Sequence, residues 1–175
     1  EANAPEPTLV ADLQSKRVTA IDSKHKHSAA VTEDGFLYMW GVGSDGQLGF
    51  GTNAEFCAQP RAVKQIKGVT RVSCGYFHTL ALTEAMIVYA WGENKYGNLG
   101  LKDKATKMAP ERVVSLTPLE ATSSNPGLDV RHLSCGGFHS AILTADVSAP
   151  ASTASGKGLL AAAAGEASSF VIAAN

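Results

Sequence analysis

Three histidines, His27, His78 and His139, recur in one sequence context, and a neutral imidazole near pH 7 can act as a general base or a metal ligand. Cys74 and Cys135 precede His78 and His139 by four residues, which puts a thiol near an imidazole along the chain. Gly41-Val-Gly43-Ser-Asp-Gly46 spells a dinucleotide-type glycine fingerprint, and Ser155-Gly-Lys157-Gly resembles part of a phosphate loop. The chemistry open to these residues is acid–base or thiol catalysis, metal binding, or nucleotide binding.

Local context argues against each. A dinucleotide site needs a helix after its glycines, whose N-terminus receives the pyrophosphate, whereas Gln47-Leu-Gly-Phe-Gly-Thr-Asn follows here. Ser155–Gly158 lacks the first glycine and the hydroxyl residue after the lysine that a phosphate loop requires, and it sits in an Ala-, Ser- and Pro-rich stretch that reads as a linker. Extended chain holds Cys74 and His78 roughly 10 Å or more apart, too far for a dyad unless the turn between them folds back. His25 and His27 are close enough to share a metal, but no third ligand accompanies them. Neither a catalytic set nor a cofactor or metal site is expected.

The elements that position these residues come from a repeat. Residues 27–51 lie over residues 78–102 without a gap, so that His27 and His78, Trp40 and Trp91, Gly41 and Gly92, Gly46 and Gly97, and Gly49 and Gly100 are each 51 positions apart. A third copy runs from Val130 to Thr144, and Gly165–Asn175 aligns with Gly75–Ala85 as the start of a fourth, with Ser168 in the place of the histidine. A proline recurs after each Trp-Gly pair, at Pro60 and Pro110. Within a copy the pattern predicts short strands at Val69–Cys74, His78–Thr83, Ile87–Trp91 and Glu111–Ser115, and no amphipathic helix. Glu33-Asp34-Gly35 supplies a hairpin turn, while Ala85-Met86 must turn without glycine. Four short strands about every 50 residues predict an all-β chain, an incomplete array of about three four-stranded antiparallel β-propeller blades. The divisions are 1–16 as the tail of a preceding repeat, 17–67 and 68–120 as repeats one and two, 121–148 as a truncated third, 149–158 as linker and 159–175 as the start of a fourth. Histidines and cysteines repeated once per blade cannot converge on one site, so His27, His78, His139, Cys74 and Cys135 read as structural, as do the Trp-Gly pairs and the turn glycines.

Val72-Ser-Cys-Gly-Tyr-Phe-His-Thr-Leu-Ala-Leu-Thr83, Ile87-Val-Tyr-Ala-Trp-Gly92 with Tyr96-Gly-Asn-Leu-Gly-Leu101, and the following proline together resemble the repeat of the regulator of chromosome condensation family. The resemblance implies a seven-bladed propeller whose Trp-Gly pairs pack between blades. Its members include a nucleotide exchange factor for a small nuclear GTPase, a plant UV-B photoreceptor and modules of large ubiquitin ligases, so the fold does not set the function. The photoreceptor's tryptophans would fall at His25, Tyr76 and Gly137, so light sensing is not implied. A 51-residue period makes about 3.4 copies in 175 residues, so the chain reads as part of a larger propeller.

Fifteen Lys and Arg against sixteen Asp and Glu leave a net charge of −1, and no field draws the chain to nucleic acid. No apolar run approaches the roughly 20 residues of a membrane helix. Three widely spaced cysteines do not form a disulfide framework, which points to a reducing compartment, cytoplasmic or nuclear, with targeting upstream of Glu1 left open. Cys57, in a loop, reads as the exposed thiol. The reading is a non-enzymatic protein-interaction scaffold within a larger protein or complex, with Ser44, Asp45, Glu93, Asn94, Lys95, Tyr96, Lys102 and Lys104 as its partner-binding loops. The alternative is a guanine nucleotide exchange module for a small GTPase.

Overall fold

The computed structural model describes residues 6–113, 129–145 and 170–174. Two four-stranded antiparallel sheets and one three-stranded sheet follow in chain order. The first contains β1 (Val18–Lys24), β2 (His27–Thr32), β3 (Leu37–Val42) and β4 (Phe56–Ala62), hydrogen-bonded in sequence order. The second repeats this meander with β5 (Val69–Cys74), β6 (His78–Thr83), β7 (Val88–Gly92) and β8 (Lys107–Arg112). The third has β9 (Asp129–Cys135), β10 (Ser140–Ala145) and β11 (Phe170–Ala174). A single 3-10 turn at Ala11–Leu13 precedes them. No helix among the described residues is long and apolar enough to cross a membrane.

The apolar core lies between the sheets. Ala29, Val31, Leu37, Met39 and Leu48 of the first copy pack with Val69, Cys74, Ala81 and Trp91 of the second. Leu80, Leu82, Val88 and Leu99 pack in turn with Val130, Leu133, Cys135 and Ile142 of the third. Strand side chains alternate between faces, so Ala81 goes one way and Leu80 and Leu82 the other. Because both faces of the second sheet are covered, all six residues of β6 are buried. β1 instead alternates exposed and half-buried positions, since among the described residues no sheet lies on its outer face.

Two expectations about strands are revised. The fourth strand of repeat two begins at Lys107, not at Glu111, and contains Pro110. It is the outer strand of its sheet, where a missing N–H costs no ladder bond. The ladder is irregular there: Ala90 pairs with Glu111 and Gly92 with Lys107, leaving Met108 to Pro110 opposite Trp91. Repeat one does the same, with Ala58 to Pro60 opposite Trp40. The recurring proline thus marks a bulge on the outer strand facing the tryptophan. Residues 170–174, aligned in sequence with the opening of a fourth copy, are seated as a strand parallel to β10, Ser140 against Phe170 through Thr144 against Ala174. A parallel neighbour needs a long crossover connection. That connection, with the 149–158 linker and Ser155–Gly158 inside it, lies outside the described residues, as do 114–128.

The turn between the second and third strands of each copy differs as the sequence requires. Gly35 takes a φ of 78°, and its N–H donates to the Thr32 carbonyl at 2.8 Å. Met86 takes its place in repeat two with a φ of 57° and an N–H bond to the Thr83 carbonyl at 2.9 Å. A side chain there costs about 1–2 kcal/mol against glycine, partly offset because glycine gives the unfolded chain more freedom. Met86→Gly is therefore expected to stabilise the chain by about 0.5 kcal/mol, seen as a higher urea midpoint with an unchanged slope. A lower midpoint would count against this account of the turn.

Candidate functional site

The Trp-Gly pairs close each blade's geometry. At Gly92, φ is 102°, and a Cβ would lie 2.3 Å from the Phe77 carbonyl oxygen. At Gly41, φ is 100°, and a Cβ would lie 2.3 Å from the Lys26 carbonyl oxygen. The next residue's N–H donates to that same oxygen, from Glu93 to Phe77 and from Val42 to Lys26, both at 2.8 Å. The glycine thus lets the third strand press against the hairpin that joins the first two. Part of the fingerprint Gly41–Gly46 is used in this way, and its later glycines shape turns: the Gly46 N–H donates to Gly43 and the Gly49 N–H to Gly46. Gly97 and Gly100 repeat those turns in the second copy.

These turns aim a backbone carbonyl at the next blade. The Gln47 carbonyl accepts the Trp91 indole N–H at 2.8 Å and the Thr79 hydroxyl at 2.9 Å. His27 Nε2 lies 3.1 Å from the same Thr79 oxygen. The single hydroxyl proton of Thr79 goes to Gln47, so His27 donates from Nε2, and its Nδ1 is left buried without a partner. One repeat later, His78 Nε2 lies 3.0 Å from the Ser140 hydroxyl, which donates to the Asn98 carbonyl at 2.8 Å. Thus one blade supplies a histidine and a loop carbonyl, and the next supplies a hydroxyl and, where present, a tryptophan. Inner strands add a second tie: the Cys74 N–H donates to Asp22 Oδ2 at 2.7 Å, and the Cys135 N–H to Ser73 Oγ at 3.0 Å.

The electrostatics match these structural positions. Burial lowers the His27 imidazole to about 4, against the opposing pull of Asp22. Burial, aided by the neighbouring His27, His139 and Lys24, lowers His78 to about 3. Burial pushes the Cys74 thiol well above its ordinary range and Cys135 up to about 12, so both are held as neutral thiols. All three cysteines are free, and Cys57 lies in β4 and is half-buried, not in a loop and exposed as the sequence suggested. His139 keeps the same register in the third sheet and is exposed. Among the described residues no group of three His, Cys, Asp or Glu is placed to hold a metal ion.

The loop residues singled out in the sequence lie at one end of the blades, together with the hairpins joining first and second strands. Ser44, Lys95, Tyr96, Lys102 and Lys104 are exposed, while Asp45 and Glu93 are half-buried. Asn94 departs from the expected partner-binding role because it is fully buried. Its amide donates to the Asp103 carbonyl at 2.8 Å, and its Oδ1 accepts the Leu99 N–H at 3.0 Å, so it braces the loop from within. Lys107 is tied to Asp103 at 2.9 Å and Glu111 at 3.1 Å.

Sequence reasoning missed an aromatic cluster at this end. Two-residue turns join the first and second strands, at His25-Lys26, Tyr76-Phe77 and Gly137-Phe138. Their rings meet: His25 stacks on Tyr76 at 5.1 Å, Tyr76 meets Phe138 at 5.7 Å, and Tyr96 from the neighbouring loop meets Phe138 at 5.3 Å. The Tyr76 N–H donates to the Gly137 carbonyl, which binds adjacent hairpins together. The available signal was large rings in two-residue turns, where Asn, Asp and Gly are usual.

Among the described residues, the first sheet's outer flank is open and apolar. Trp40 and Ser28, one period before Trp91 and Thr79, line a groove of about 620 Å³ with Val18, Ile21, Leu9 and Leu13. Ile21 is 76% exposed. The tryptophan and the hydroxyl of a further clasp stand here, and among the described residues no carbonyl accepts the Trp40 indole.

Comparison with known proteins agrees with this geometry. The model of the regulator of chromosome condensation (RCC1) repeat matches residues 34–82 and 87–143. The human probable E3 ubiquitin-protein ligase HERC6 is 34% identical over 143 residues, covering 80% of this chain and 13% of its own length. Human HERC3, also named a probable E3 ubiquitin-protein ligase, is 38% identical over 140 residues, 79% of this chain and 12% of its own. The crystal structure of human WBSCR16 superposes with a TM-score of 0.62 at 28% identity, over 76% of this chain and 33% of that one. Yeast RCC1 (Prp20), in a structure with Kap60, gives 0.61 at 25% identity, over 79% and 29%. The chain therefore spans about an eighth of these curated relatives and about a third of these solved chains, and it belongs to the regulator of chromosome condensation (RCC1) repeat family.

Proposed function

We propose that this chain is a non-enzymatic sector of a β-propeller that acts as a protein-interaction scaffold within a larger protein or complex. One observation carries the reading. The polar side chains that could do chemistry, His27, His78, Thr79 and Ser140, are used in ties between blades, while Lys95, Tyr96, Lys102, Lys104, Tyr76 and Phe138 stand exposed together at one end. An open apolar flank at Trp40 fits a sector that continues against another blade, since repeat arrays cover their end faces. The ligase names of the relatives describe proteins several times longer than this chain.

The test is photo-crosslinking from Lys95 and Tyr96 in the full chain, with the captured protein identified and its binding then measured in purified form. Reversing charge at Lys95, Lys102 and Lys104 is expected to weaken that binding, while Glu33→Lys and Asp34→Lys at the opposite end leave it unchanged. Equal sensitivity at the two ends would overturn the reading. Accelerated nucleotide release from a small GTPase by the chain would replace it with the exchange reading.

A further inference from the structure

We propose that the aromatic end of the blades binds an acidic peptide that carries a bulky apolar or aromatic anchor; this rests on the scaffold reading and names the partner chemistry of the same face. The surface is contiguous and built by all three repeats. Tyr76 is 40% exposed, and Tyr96 and Phe138 are 44% exposed each. Phe77 links them from behind, 6.3 Å from Tyr76 and 5.9 Å from Phe138. Rings this exposed in two-residue turns are not required by the core, whose side chains lie between the sheets. Adjoining aromatic side chains at a surface are typical anchors for protein partners.

Charge decides between partners. The three hairpin tips carry Lys24, His25 and Lys26 and no carboxylate. The Lys24 amine is held by the Cys135 carbonyl in a cavity that Asp22 also lines, so the exposed Lys26 carries the positive charge of this tip. Lys95 lies 5.6 Å from the Tyr96 ring centre at the far side of the cluster. The nearby acids are partly occupied: Asp103 is paired with Lys107, Asp45 accepts the Ser44 hydroxyl, and Glu93 is half-buried at the base of its loop. The cluster is therefore framed by cations at both sides, which favours carboxylates and opposes a basic peptide. Ring geometry separates a peptide from a single-stranded nucleic acid. Successive bases need open parallel faces, whereas Tyr76 and Phe138 cross at 71°, Tyr96 and Phe138 at 71°, and Tyr76 and Phe77 at 90°, and the more nearly parallel pairs, His25 with Tyr76 at 27° and Phe77 with Phe138 at 35°, pack on each other. Such edge-to-face rings leave notches suited to one inserted side chain.

The experiment uses fluorescence anisotropy on the full chain with four probes: a short peptide in which Glu and Asp flank a Phe-Leu pair, the same peptide with Ala for Phe and Leu, its Lys/Arg counterpart, and oligo-dT. The acidic aromatic peptide is expected to bind tightest, more weakly at high salt, and about tenfold more weakly to Tyr76→Ser, Phe138→Ser and Lys26→Glu. Phe36→Ser, exposed at the opposite end of the blades, should bind like the unmodified chain. Unchanged urea midpoints for the variants show that folding is intact. Equal or tighter binding of the basic peptide or of oligo-dT would overturn the proposal, as would insensitivity to the ring variants. If the acidic peptide fails to bind while Tyr76→Ser and Phe138→Ser still abolish the cross-linked partner's binding, the peptide chemistry falls and the scaffold reading stands. If the identified partner ignores these variants as well as the loop lysines, the scaffold reading falls with it.

Discussion

Trp91→Ala is expected to lower stability by about 3–5 kcal/mol, whereas Trp40→Ala, at the same repeat position, should cost well under half of that. The asymmetry follows from packing. Trp91 has no exposed surface and fills the space between the first two sheets, where removing a large ring leaves a cavity that the strands cannot close. Trp40 is only half-buried and faces the open groove, so part of its ring is already in contact with solvent. Trp91→Phe should fall between, because the ring remains but the Gln47 carbonyl loses one of its two donors, a change of about 1 kcal/mol. Against a domain stability of about 5–15 kcal/mol the alanine change is large. Urea unfolding of the three variants checks the order; equal losses at Trp91 and Trp40 would show that packing between blades does not set the cost.

Acid should destabilise the chain through His27 and His78. Both have folded values, about 4 and about 3, below the ordinary 6.5, so the unfolded chain binds protons first. The stability they contribute is complete above about pH 6.5 and is lost as pH falls through that value toward 4 and 3, at up to about 1.4 kcal/mol per pH unit for each ring. The structure gives the reason: a charged ring would lie buried between sheets, and His27 already has Nδ1 without a partner. The stability curve should therefore fall steeply between about pH 6.5 and pH 4. His27→Gln and His78→Gln should be less stable at neutral pH, each with a flatter curve. A variant that keeps the full slope would show that its histidine does not titrate on unfolding.

The sequence carried the strand positions well because strands report locally. His78–Thr83 and the Tyr-x-Trp-Gly segments repeat with fixed spacing, and the turn at Glu33-Asp34-Gly35 needs only its own residues. The fourth strand was placed late because Pro110 argues against a ladder residue, and only the pairing opposite Trp91 reveals a bulge on an outer strand. Asn94 looked like an exposed polar loop residue, since nothing local says that its amide turns inward to Asp103.

Period and strand order within a blade were determined by the sequence alone, because they depend on side-chain alternation over a few residues, whereas the need for glycine after each tryptophan comes from a hairpin carbonyl well separated in the chain, Phe77 against Gly92 and Lys26 against Gly41. The tertiary structure decided which groups meet across blades. Gln47 takes part in the clasp through its main-chain carbonyl, which every residue possesses and no residue type marks. The aromatic cluster likewise joins His25, Tyr76, Tyr96 and Phe138 from turns up to 113 residues apart, so its physical basis is the lateral packing of blades.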